Sequence, residues 1–382
     1  MDYRGAHSEA ELSGAANRCS DAVKGRRSPT GAENRRSTDP PVVAAAMETW
    51  TTTPNSSGDV FRNMSFIENR TPAYTKQLQF LEIYDENNAL LGGTNMVDLY
   101  WNGTLWHYKD LSDFSQERAA VTQRVSSGVT DAVYLGKSRF VSAEDSGAVQ
   151  VHEIVETDEE AKFQPLSYAC QHEDSILTMS VFSNRRNIVT GGMDCCLKIW
   201  DTEDLIASYS YNLAHLDIVT STDVKPMCSS TFVSASLDGE SLLWDIRRAK
   251  PASCIFKDNN NTPLSAVAWN ATLDHLIAIG TANGSVVLID VRQAGTPLHE
   301  SVESDRGVHK LSFNPNPERK EQLACCFDSE VVKVIDTYRE MLLIHEDAVH
   351  QDFVRGLAWC EDDLYSCCWD GRVMKRIVNI VN

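Results

Sequence analysis

Two stretches of the chain carry a histidine, a hydroxyl, a carboxylate and a tryptophan in the same order. The first is His172, Thr190, Asp194 and Trp200; the second is His215, Ser234, Asp238 and Trp244. An imidazole, a hydroxyl and a carboxylate are the parts of a nucleophilic triad, in which the acid orients the base and the base activates the hydroxyl. The same groups also serve a purely architectural end. A carboxylate in a tight turn can be tied through an imidazole and a hydroxyl to a buried indole N–H, which satisfies every polar group inside one sheet. Recurrence decides between the two: a catalytic centre is built once, whereas Trp200 returns as Trp244 after 44 residues. Both sets are read as structural.

Other reactive-looking residues fare no better. Gly136-Lys137-Ser138 ends like a phosphate-binding loop, but Asp131 stands where the motif needs its first glycine, and a strand follows where a helix should. No GxSxG, HExxH or glycine-rich dinucleotide fingerprint occurs. The 11 cysteines include the adjacent pairs Cys195-Cys196, Cys325-Cys326 and Cys367-Cys368, without CxxC or His/Cys ligand spacing. Neighbours on a strand point to opposite faces, so each pair places one thiol in each packing layer as a free, buried group. The run Asp158-Glu159-Glu160 is read as a solvated cluster in a long inter-strand loop, with binding of a cationic substrate tail as the alternative. The sequons at Asn69, Asn102 and Asn283 are chance matches in a chain without a secretory route. Neither an enzyme nor a cofactor nor a metal is expected.

The elements that carry these residues repeat. From residue 77 the apolar pattern has period two, in short β-rich stretches split by Asp, Asn and Gly. Val189–Asp201 and Val233–Asp245 match closely, and Ile279–Asp290 keeps the frame with Ile289 in the tryptophan position. Weaker copies place the equivalent position at 108, 152, 335 and 376. Seven units of 41 to 48 residues are what four-stranded propeller blades require. The expectation is an all-β, seven-bladed WD-repeat propeller. Its last blade has only three strands from the C-terminus, near 354–359, 364–368 and 372–378. An open edge there is a pairing hazard, so Val60–Ile67 is expected to supply the fourth strand and close the ring. The division is thus a disordered tail, 1–57, and a propeller, 58–382, whose first residues, 58–70, close the last blade.

Charge and composition narrow the partners. Against 35 Lys and Arg stand 54 Asp and Glu, a net charge of -19 with pI near 4.9. Such a surface repels phosphate backbones, so direct nucleic-acid binding is not expected. Residues 1–70 hold nine charges of each sign, which puts the whole excess on the rest of the chain. The first 55 or so residues, rich in Ser, Ala, Pro, Gly and Arg, lack the apolar pattern needed to offset chain entropy. They hold basic serine strings, Arg26–Pro29 and Arg35–Thr38, and Met47 offers a second start. No apolar run nears the roughly 18 residues that span a bilayer, and the N-terminus lacks a secretory pattern. No membrane is expected, and the place of action is cytoplasmic, extending to the nucleus.

Four segments make the repeat particular: Trp101–Asp110, Ser142–Val151 with an extra turn residue before its strand, Trp244–Ser253, and Gln351–Arg355 with Ala358-Trp359. In these the chain resembles the methylosome WD-repeat family, the Valois-like propeller partners of the type II (symmetric) protein arginine methyltransferase. The resemblance covers roughly residues 58–382; the long N-terminal tail and several blade turns depart from it. It implies a non-catalytic scaffold that docks on the enzyme's N-terminal barrel, in an assembly with four copies of each chain. It further implies help in presenting Arg-rich substrates such as Sm proteins and histones, and a germ-plasm role through a Tudor-domain protein. An acidic propeller would steer such cationic tails. The family's anchor tryptophan falls on Trp101, with Tyr100 and Asn102 beside it, directly before a turn at Asn102-Gly103. The rival reading is a substrate receptor of a cullin-type ubiquitin ligase. It rests on the WDxR box Trp244-Asp245-Ile246-Arg247 and a degenerate copy, Asp290-Val291-Arg292.

Overall fold

The computed structural model describes residues 77–97, 100–157, 160–248, 250, 253–258 and 260–378. The chain divides into Met1–Asn69 and Arg70–Asn382. The first unit, with the tail 1–57 and the expected closing strand Val60–Ile67, lies outside the described residues, as do Asp158 and Glu159.

Alternating apolar and polar residues between turn signals fold as predicted, into seven antiparallel meanders. Blade 1 is β1 (Gln77–Asp85), β2 (Asn88–Val97), β3 (Tyr100–Tyr108) and β4 (Val121–Val125). Blade 2 is β5 (Val129–Gly136), β6 (Arg139–Glu144), β7 (Ala148–Glu156) and β8 (Ala161–Cys170). Blade 3 is β9 (Ile176–Val181), β10 (Asn187–Gly192), β11 (Leu197–Asp201) and β12 (Ile206–Tyr211). Blade 4 is β13 (Val219–Val224), β14 (Thr231–Ser236), β15 (Glu240–Asp245) and β16 (Ser253–Lys257). Blade 5 is β17 (Leu264–Trp269), β18 (Leu276–Thr281), β19 (Ser285–Asp290) and β20 (Pro297–Val302). Blade 6 is β21 (Val308–Phe313), β22 (Gln322–Phe327), β23 (Val332–Asp336) and β24 (Leu342–Asp347). Blade 7 has three described strands, β25 (Val354–Cys360), β26 (Asp363–Cys368) and β27 (Val373–Ile377), with β27 at the edge.

The first strands pack in a ring, β1 to β5 and so on to β25, which returns to β1. Near the start of each inner strand one residue is bulged from the ladder: Gln79, Thr130, Leu177, Thr220, Ser265, His309 and Arg355. A bulge adds twist, and repeating it seven times turns the strands alike about one central channel. The core is correspondingly layered, with one apolar cluster between each pair of neighbouring blades, including blades 7 and 1. All seven expected register positions fall on third strands and face the preceding blade: Tyr108, His152, Trp200, Trp244, Ile289, Ile335 and Arg376.

The cysteine pairs follow expectation in part. Cys325 enters the layer with blade 5 and Cys326 the layer with blade 7. Cys195-Cys196 does not lie on a strand at all. It forms the β10–β11 turn, where Cys195 takes the left-handed conformation (φ 59°) that Gly239 and Gly371 take in blades 4 and 7. The ten described cysteines are free. Among the described residues no helix is long and apolar enough to cross a membrane.

Candidate partner-docking site

Both predicted polar sets are assembled. His172 Nδ1 lies 2.8 Å from Asp194 and Nε2 2.7 Å from Thr190 Oγ1, which also accepts the Trp200 indole N–H at 2.8 Å. In blade 4 the distances are 3.0 Å from His215 to Asp238, 2.7 Å from His215 to Ser234, and 2.8 Å from the Trp244 indole to Ser234. The indole can only donate, so the hydroxyl proton must go to the imidazole Nε2, which leaves Nδ1–H to donate to the carboxylate. Burial works against the Asp238 carboxylate, but the His215 bond and the amides of Leu216 and Glu240 outweigh it and hold Asp238 at about 2. The hydroxyl is saturated and the indole buried, so neither set presents a nucleophile.

A third set was missed from the sequence. In blade 7, His350 Nε2 lies 2.7 Å from Ser366 Oγ and Nδ1 3.4 Å from Asp370, while Arg376 takes the place of tryptophan and donates to Ser366. The signal was there: four residues from hydroxyl to acid and six from acid to donor, as in blades 3 and 4. Arginine in the tryptophan position hid it. Asp370 thus occupies the tight turn between β26 and β27, where Asp238 stands in blade 4. In blade 2 the donor position is His152, 3.0 Å from Ser142. Ser142 and His152 stand ten apart, as do Ser234 and Trp244, so the extra turn residue expected in this blade is absent.

His350, Cys368 and Asp370 also bring a nitrogen, a thiol and a carboxylate oxygen within 4.8 Å, a spacing a metal could use. Blade 4 supplies the comparison. There Ser236 donates to the Asp217 carbonyl at 3.1 Å and accepts the Asp238 amide at 3.2 Å. Cys368 makes the same two bonds, to Asp352 at 3.1 Å and from Asp370 at 3.3 Å, and burial pushes its thiol up to about 12. Two nitrogens of Arg372 already hold the Asp370 carboxylate, at 2.7 and 3.0 Å. The trio is the polar set with a thiol in the serine position.

Two local departures from the repeat lie at b–c turns, where second strands pass to third. In blade 1, β4 ends its pairing with β3 at Val125–Gly103, and Gln77, paired with Thr94, is the first described residue of β1. The β2–β3 ladder nevertheless continues through Asn95–Asn102, Met96–Trp101 and Val97–Tyr100. Trp101 thus stands on the middle rung of a three-rung arm that runs beyond the end of β4. This corrects the expected turn: Asn102-Gly103 is inside β3, and the ladder continues past it to Val97–Tyr100. Asn102 is half-buried.

In blade 7, Phe353 and Trp369 meet edge to face at 5.5 Å, and the Arg355 guanidinium lies 4.4 Å from the Trp369 ring centre and 5.3 Å from that of Phe353. Arg355 is fixed by Asp328 at 3.0 Å and by His309 at 2.8 Å. Burial and then the Arg355 charge push the His309 imidazole down to about 3, so the neutral ring accepts that bond. The segment Gln351–Arg355 stood out in the sequence, but nothing there paired Phe353 with Trp369. Of the acidic run, Glu160 alone is among the described residues. The connection between β7 and β8 is four residues rather than a long loop; at its ends the Thr157 amide donates to the Glu160 carbonyl at 2.9 Å, and Glu160 is exposed.

Seven blades, six of four described strands and one of three, with the hydrogen-bonded set in blades 3, 4 and 7, define a WD-repeat β-propeller, and the WD domain, G-beta repeat family matches residues 164–201. The Xenopus laevis methylosome protein WDR77 is 30% identical over 291 residues, 75% of this chain and 84% of that protein. Drosophila melanogaster protein valois is 26% identical over 214 residues, 53% of this chain and 57% of valois. Danio rerio protein transport protein Sec31A is 25% identical over 199 residues, which is 49% of this chain but 16% of Sec31A. The chain belongs to the WDR77 family of methylosome WD-repeat propellers.

Proposed function

We propose that the chain is a non-catalytic propeller subunit of a methylosome. It docks on the N-terminal barrel of a type II protein arginine methyltransferase, with Trp101 as the anchor, and helps present Arg-rich substrates such as Sm proteins and histones. The assembly holds four copies of each chain, acts in the cytoplasm and the nucleus, and engages a Tudor-domain protein in germ plasm. The observation that supports this reading is the blade 1 arm, in which Trp101 pairs with Met96, one rung before the last described pair, Val97–Tyr100, and beyond the end of β4. Aromatic residues set in a partner's pocket are the usual anchors of an interface, and the net charge of -19 would steer cationic tails toward the complex.

Trp101→Ala should weaken the complex by about 2 kcal/mol or more while leaving the isolated propeller's Tm within about a degree. Intact binding removes the anchor, and a large fall in Tm assigns Trp101 to its own blade's packing. With methyl donor and Sm or histone substrate, the propeller alone should transfer nothing, and added to the methyltransferase it should raise symmetric dimethylation. Transfer without the partner would sink the non-catalytic reading.

One observation favours the ligase-receptor alternative. Arg247 and Arg292, in adjacent blades, are both exposed and each is gripped through two nitrogens by its own Asp245 or Asp290. Purification from native extract separates the readings, because one predicts a methyltransferase in the eluate and the other a ligase adaptor.

A further inference from the structure

On its β4 side the blade 1 arm has no described flanking strand beyond the rung Thr94–Gly103, so contacts outside the sheet bear on its angle. That rung is seated on the blade 2 entry segment. Thr94 Oγ1 donates to the Val129 carbonyl at 3.3 Å. Gly103 lies so close to the same segment that a Cβ there would meet the Ser127 carbonyl and the Val129 side chain at 2.5 Å each. Gly128 is equally confined, since its Cβ would meet Asp145 at 2.5 Å and Thr94 at 3.1 Å. The segment is itself held by one carboxylate. Asp145 accepts the Ser127 hydroxyl and, at 3.0 Å, the Gly128 amide, while its own amide donates to the Gly128 carbonyl at 2.9 Å.

The fold does not ask for a carboxylate there. The equivalent b–c turn residues, recognised by the same amide bond to the preceding loop, are Met193, Leu237, Ala282, Asp328 and Trp369. Only beside the arm does that side chain turn back to clamp the preceding loop's hydroxyl and amide.

We infer that Asp145 is a positioning residue for the docking arm, acting through Ser127 and Gly128 on the Thr94–Gly103 rung and fixing the arm's direction before a partner binds. The inference rests on the docking reading for its consequence in binding, but not for its consequence in the free propeller. Pre-set geometry spares the partner the cost of ordering two strands.

The test uses the full chain and the type II methyltransferase. Asp145→Leu places in blade 2 the residue blade 4 carries, and Ser127→Ala removes one clamp bond if the first variant folds poorly. Either should leave the Tm close to the parent, speed amide exchange at residues 95–97 and 100–102 in the free propeller, and weaken the complex by about tenfold. Asp145→Asn, which keeps an acceptor for Gly128, should restore most of both. Unchanged exchange overturns the inference, as does binding within about twofold of the parent when Trp101→Ala loses it. If Trp101→Ala binds normally, the docking reading is what fails, and faster exchange in the clamp variants still upholds the positioning role.

Discussion

A serine hydroxyl has one proton to give, and in blade 4 that proton is spoken for. Ser234 gives it to His215, keeps its lone pairs for the Trp244 indole, and sends the demand on to Asp238. Buried donors left unpaired cost their desolvation in full, so the carboxylate is the member whose loss is felt by all. Asp238→Ala should cost about 1–3 kcal/mol in denaturant unfolding. The sign with pH follows from the carboxylate's native value of about 2 against its ordinary 3.8. Its contribution is complete above 3.8 and lost as pH falls toward 2, so parent and variant should converge in acid. An unchanged midpoint at neutral pH would mean the set carries no stability. Blade 7 shows how far the scheme can be altered: Arg376 donates to Ser366 as the indole would, and spends its remaining nitrogens on Asp347, the last residue of β24 in blade 6.

Six described sheets have four strands and the seventh has three, with β27 at the edge among the described residues. Nine residues separate Ile67 from Gln77, enough at ~3.3 Å each to cross the roughly 14 Å from an inner strand to an outer one. Deleting residues 1–45 should therefore leave the Tm nearly unchanged, whereas deleting 1–69 should lower it sharply by exposing the edge. Equal melting of the two truncations would refute closure by Val60–Ile67. The blades themselves were legible because a period of two, punctuated by glycine at left-handed turn positions, admits one register, and all seven third strands fell where it put them. Asn102-Gly103 misled for a physical reason. That pair favours a two-residue hairpin turn, but Val97, Tyr100 and Trp101 are strong strand formers and carry the ladder past it. The clamp at Asp145 had no signal at all, since it depends on which loop lies over which rung, and Arg376 was unreadable as a tryptophan substitute until its partners were in place.

The ring of inner strands gathers charge that is scattered along the chain. Glu82 of β1, Asp131 of β5, Asp223 of β13 and Lys310 of β21 act on one another in the half-buried channel, and Arg185 reaches Glu82 as well. Two of the carboxylates also stitch blades together. Asp131 accepts the Met179 amide of blade 3 at 2.9 Å, and Asp223 accepts the Trp269 amide of blade 5 at 2.7 Å. Among the described residues Glu82 accepts no such amide. Burial, with the like charges of Asp131 and Asp223, prevails over the attraction of Lys310 and Arg185 and pushes Glu82 up to about 7. Between its ordinary 4.5 and about 7 the folded protein holds a proton that the unfolded chain releases, so this group's effect is to lower stability as pH rises through that window. Glu82→Gln cannot ionise and should melt with the parent near pH 4.5 yet above it near pH ~8, where the parent must keep a buried charge. Thermal unfolding of the pair at the two pH values decides it: an equal difference at both means that Glu82 titrates in the channel as it would in water.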